Sequence, residues 1–129
     1  MFKTKDENII GVIKNISTIA AKEKWVLTLD REEEALFYTS KNIPNNAELF
    51  QITDEYALYM DKEQKPYGLM IEYFGHNFIK HHPEFKKLSE DVFGKDEKET
   101  TVAHPKTDKK DDILVLKALL EKTLIAETV

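Results

Sequence analysis

The sequence predicts an α+β domain: an N-terminal helix, an antiparallel β-meander of four to five strands, a following helix and a tethered C-terminal helix. Three observations predict it. Apolar residues recur at helical spacing between Ile9 and Ala20. From Trp25 to Phe74 the spacing changes to short alternating runs between polar breakers. After Gly94, a charged stretch precedes the strongly apolar ILVLKALLEKTLIAETV.

At 129 residues, with 41% apolar and 33% charged residues, the chain fits one soluble domain with a single core. It contains no cysteine, which excludes disulfides, thiolate zinc ligands and a cysteine nucleophile. The net charge of −5 and a single arginine, Arg31, argue against nucleic acid as a partner, because phosphate binding needs clustered cations. In MFKTKDENIIGVIKNI the apolar residues are interrupted by Lys14 and Asn15, so neither a signal peptide nor a membrane span is expected. The expected location is cytoplasmic, with no membrane partner.

Thr4-Lys5-Asp6-Glu7 has the spacing of a capping box, in which side chain and backbone at the two ends satisfy each other, and a helix begins there. Ile9, Val12, Ile13, Ile16, Ile19 and Ala20 fall in one sector, opposite Lys14, Asn15, Ser17, Thr18 and Lys22. The many β-branched residues lower its intrinsic propensity, so this helix depends on docking.

WVLTLD, ALFYTS, AELFQIT, YALYMD and PYGLMIEYF read as strands joined by tight turns. In the last pair, Tyr56, Leu58 and Met60 share a face, as do Leu69, Ile71 and Tyr73. Asp30 to Glu33 also has capping-box spacing, which leaves open a short helix over REEEALFYTSKN and a β-α-β start.

Gly75 ends the last strand, and Pro83 suits the first turn of a helix running from His82 or Pro83 to Phe93. Residues 95–111 have the composition of a charged linker that buries too little surface to order itself. The predicted organisation is a domain over 1–94, this linker, and an apolar helix over 112–129. Thr107 or Asp108 caps that helix, and Asp111 and Asp112 suit its positive end. Ile113, Leu116, Leu120 and Leu124 form one stripe, with Leu114, Val115 and Ile125 off it. Such a helix is too apolar to stand alone in water. It either folds back over the sheet or docks on a second copy or another protein.

Asp30, Glu32, Leu36 and Phe37 in LDREEEALFYTS, with Asp61, Gly68, Ile71 and Glu72 in MDKEQKPYGLMIEYF, resemble a family of small uncharacterised bacterial domains. Its pattern is D-x-E-x-D-x-L-Y-I followed by D-x-x-G-x-x-V-G-I-E-I. The resemblance spans residues 26–74. Glu34 stands where the family has Asp, and KEQK lacks the family's turn glycine. The resemblance implies a β-meander with a helix, no established catalytic site and an antitoxin-like pairing with toxin proteins.

GHNFIKHHPEF, residues 75–85, holds three of the four histidines. His76, His81 and His82 are candidate zinc ligands, with Glu72 or Glu84 as the carboxylate. Against this, HxxxxHH lacks the i, i+4 spacing of a metallohydrolase helix, and adjacent His81 and His82 point apart on regular backbone. The plainer reading has His82 or Asn77 capping a helix. No catalytic residue is proposed, since Ser17, Ser40 and Ser89 sit in no nucleophile elbow. The acidic run from Asp30 to Glu34 lacks calcium-loop spacing and reads as a solvated turn.

The expected function is a non-enzymatic protein-binding or regulatory module that dimerises or holds a protein partner through Ile113, Leu116, Leu120 and Leu124. The alternative is a small metal-dependent enzyme built on residues 76–82, with zinc as its cofactor.

Overall fold

The computed structural model describes residues 7–94 and 102–128. Thr4, which opens the expected capping box, lies outside them. The first apolar stretch forms two helices, α1 (Glu7–Lys14) and α2 (Ile16–Glu23). The break falls at Asn15, at φ −97° and ψ 3°, where its side-chain amide donates to the Gly11 carbonyl at 3.0 Å. Such local side-chain bonding competes with the helical ladder. Ile13, Ile16 and Ala20 are nevertheless buried, as the apolar sector predicts.

The five alternating runs are all strands: β1 (Val26–Asp30), β2 (Ala35–Thr39), β3 (Glu48–Gln51), β4 (Tyr56–Met60) and β5 (Pro66–Ile71). The open choice at Asp30 is thereby resolved as a strand. Asp30 Oδ1 does accept from the Glu33 amide at 3.1 Å, the contact a helix cap makes. Glu34 then takes the left-handed conformation at φ 54°, which turns the chain back into β2 instead of winding on.

The antiparallel sheet has six strands in the order β3-β4-β5-β2-β1-β6. Two short meanders, β1-β2 and β3-β4-β5, are joined where β2 pairs with β5. Gly68 allows that central pairing, because a Cβ there would sit 2.4 Å from Thr39 Cγ2. The sixth strand, β6 (Val102–Ala103), pairs with Asp30 and Leu29 of β1, and Ala103 is buried. The expected linker over 95–111 is therefore too long: residues 95–101 lie outside the described part, but from 102 onward the chain belongs to the fold. Lys106 also donates its amide to the Val92 carbonyl at 2.9 Å.

One sheet face carries two aligned rows, Leu27-Tyr38-Leu69-Leu58-Phe50 and Leu29-Leu36-Ile71-Tyr56. The core packs on it. After β5, a π-helical turn (Phe74–Phe78), the short α3 (Ile79–His81) and α4 (Glu84–Phe93) deliver Phe74, Phe78 and Phe85 into that core. Phe74 and Phe78 stack at 5.5 Å, and Phe85 meets Phe78 edge-on at 4.9 Å.

The C-terminal helix α5 (Lys110–Thr128) completes the layer. Leu116, Leu120 and Leu124 have no exposed surface and Ile113 packs beside them. Of the two placements the sequence leaves open, the stripe takes the one in cis, where burying each leucine stabilises the fold by roughly 2 kcal/mol. Leu114 and Val115 face solvent instead. Ile113, Leu116, Leu119, Leu120, Leu124 and Ile125 thus share one core with the sheet and the earlier helices. Among the described residues, no helix is long and apolar enough to cross a membrane.

Candidate metal centre

Proline sets the geometry of the histidine pair. Pro83 restricts the preceding residue to extended backbone, and His82 sits at φ −134°, ψ 70°, between α3 and α4. This irregularity lets two adjacent imidazoles reach one carboxylate. His81 Nδ1 lies 3.2 Å from Glu55 Oε2, and His82 Nε2 lies 3.3 Å from Glu55 Oε1. Glu55 itself is fixed in the turn before β4, where Thr53 Oγ1 accepts from the amides of Glu55 and Tyr56 at 3.2 Å each.

A third element closes the cluster. Glu127, on the last turn of α5, brings Oε1 to 2.7 Å from His82 Nε2. The donor atoms of Glu55, His82 and Glu127 all lie within 4.8 Å of one another. The Glu55 and His82 side chains are only 12% and 16% exposed, and Glu127 25%. The His82 ring is held from below by Phe78, 4.4 Å between centroids.

This arrangement is overfilled with acceptors. An imidazole nitrogen has a single in-plane position, either a hydrogen or a lone pair, yet two carboxylates converge on Nε2. Glu55 and Glu127 also share a hydrogen bond, and the Glu127 carboxyl is held above its ordinary range, first by burial and then by the Glu55 charge, with His82 opposing. Two carboxylates this close need a proton or a cation between them. Beneath them lies the Tyr56 hydroxyl, fully buried and without a hydrogen-bond partner among the described residues. Its pKa is raised by burial, then by the charges of Glu127, Glu55 and Glu84.

Of the expected ligands His76, His81, His82 and Glu72, the structure brings two together. His76 is 75% exposed and pairs with Glu34. Glu72 lies at the end of β5, beside Glu33, Phe37 and Met70. Glu84 approaches the other nitrogen of His82, at 4.0 Å from Nδ1. Glu55 and Glu127 were not singled out by sequence: neither shares a spacing motif with the histidines, and only the docking of α5 brings Glu127 near. Comparison with known proteins finds no matching family model, no matching curated protein and no matching solved structure.

Proposed function

We propose that this chain is a non-enzymatic module that binds one divalent transition-metal ion, with zinc as its natural probe, through His82 Nε2, Glu55 Oε1 and Glu127 Oε1. The observation that carries the reading is the convergence of both carboxylates on the same imidazole nitrogen. A cation at that point takes the Nε2 lone pair, neutralises both glutamates and relieves their repulsion. One imidazole with two carboxylates suits zinc and its neighbours in the first transition row. His81 then acts one step out, holding Glu55 by its second oxygen, as a histidine–carboxylate pair does around many metal sites. The role of the ion is to fasten the end of α5 to the β3-β4 turn and the α3-α4 junction, three elements far apart in sequence. Regulation of a partner by metal occupancy follows naturally from such a clasp, since the ion changes how firmly α5 is held.

The enzyme reading has one observation in its favour, that three protein donors leave a coordination position for water. Calorimetric titration of zinc into EDTA-treated protein tests the binding. Uptake of one ion per chain with proton release is expected, together with a rise in melting temperature. His82→Ala and Glu127→Gln should abolish both effects and His76→Ala neither. Absence of uptake by the native chain rejects the metal reading.

A further inference from the structure

A cavity of about 470 Å³ lies where the β1-β2 turn, the π-helical turn, α3 and α4 come together. Its volume falls in the range of small-molecule sites. Leu29, Phe74 and Ile79 supply the apolar part of its lining, and all three lie in the core or pack against it. That floor is therefore fixed by the fold itself. No residue of the Glu55-His82-Glu127 cluster is on the lining.

Cations reach this lining from three separate segments. Arg31, the single arginine, stands in the acidic turn between β1 and β2, yet its Nη2 donates to the carbonyls of Phe93 and Gly94 at 3.4 and 3.0 Å. Its charge is thereby held on the cavity wall at the carbonyl end of α4, where a helix favours a cation. Lys80 of α3 and Lys86 of α4 complete the set, and neither ammonium has a carboxylate partner among the described residues. Two carboxylates share the lining. Glu34 is taken by His76, and Glu90 stands one turn after Lys86 without an ion pair to it. Glu32, Glu33 and Asp91, neighbours of lining residues in sequence, are not on the lining. Three cations thus face one uncommitted carboxylate, in a chain whose net charge is −5.

We propose that this cavity binds a small organic anion, an apolar body with a carboxylate head, independently of any metal. The body lies on Leu29, Phe74 and Ile79, where it leaves water, and the head meets Lys80, Lys86 and the Arg31 guanidinium. Apolar walls with a few charged groups at set positions are the ordinary make-up of a ligand pocket. Lys80 and Lys86 are exposed, so their long stems can cover the apolar body while their ammonium groups stay with the head. Sign gives the site its selectivity. An ammonium of the same shape would meet three cations with Glu90 alone to receive it.

Anilinonaphthalene sulfonate, itself an apolar body with an anionic head, serves as the fluorescent probe, on protein stripped of metal with EDTA and dialysed. One probe should bind per folded chain, octanoate should displace it where octylammonium does not, and added salt should weaken both anions. Lys80→Glu combined with Lys86→Glu changes two exposed side chains, so circular dichroism should be unchanged while both affinities fall at least about tenfold. Lys62→Glu combined with Lys87→Glu makes the same change of net charge at exposed positions off the lining, and should leave both affinities nearly as they were. A native chain that binds neither probe nor octanoate overturns the proposal. So does binding that the folded lining variant keeps, binding that the control pair weakens as much, or displacement by octylammonium as effective as by octanoate.

Discussion

Glu127 Oε1 lies 2.7 Å from His82 Nε2, so the last turn of α5 is joined directly to the α3-α4 junction by an imidazole and a carboxylate. In the metal-free chain the Glu127 carboxyl keeps its proton to higher pH than an ordinary glutamate, chiefly through burial and then the Glu55 charge. The folded state therefore binds more protons than the unfolded state in that window, and stability falls as pH rises through it. The contribution is complete below the ordinary value of 4.5 and is lost above the raised one.

Glu127→Gln removes this titration while keeping the side chain's shape. With EDTA present, urea unfolding of the variant should lose less stability than the native chain between pH 4.5 and neutrality. Asp61, whose carboxyl is lowered mainly by the Lys65 amide, contributes in the opposite sense, but equally to both proteins. Parallel pH profiles for the two chains would show that the Glu127 carboxyl does not hold its proton more firmly in the folded chain.

Leu116 and Leu120 decide whether α5 is a tether or part of the core. Both are fully buried, so Leu116→Ala should cost about 2–5 kcal/mol, and the double change to Asp should abolish cooperative unfolding, since unpaired buried carboxylates are far costlier. Light scattering on Leu116→Ala should find the native association state. A folded double-Asp variant that differs from the native chain only in mass would return the stripe to the role of a partner surface.

Strands were legible in the sequence because alternation and turn residues are local signals: Tyr56, Leu58, Leu69 and Ile71 share the face that their spacing predicts, whereas Tyr73, expected beside Leu69 and Ile71, lies past the end of β5 at φ 51° and faces solvent. The same holds for the α5 stripe. What local pattern does not encode is which elements meet. Asn15 breaks the first helix although its apolar sector runs on unbroken, because one side-chain bond to Gly11 competes with the ladder. Val102 and Ala103 pair with β1 from within a charged stretch whose composition resembles a linker. At the candidate centre, His81 and His82 stood out by their density, whereas Glu55 and Glu127 join them only through tertiary docking. A two-residue strand and a carboxylate from a distant helix leave no periodic trace.

Tyr38 offers the sharpest test of how α5 is held at its middle. Its hydroxyl donates to Glu121 Oε1 at 2.9 Å, and its pKa is raised by burial and then by the Glu121 charge. One turn earlier on the same helix, Lys117 Nζ donates to the Trp25 carbonyl at 3.1 Å and lies 5.8 Å from the Tyr38 ring centre. The helix thus presents an acid and a base, four residues apart on one face, to two groups at the start of the sheet. Tyr38→Phe removes the hydroxyl without altering the edge-on contact of the ring with Trp25, at 5.4 Å. A loss of about 1 kcal/mol is expected. Pairing Tyr38→Phe with Glu121→Gln in a double-mutant cycle isolates the contact. A coupling energy near zero, with each single change costing as much in the other's absence, would show that packing of the ring holds the helix and that the hydrogen bond adds nothing.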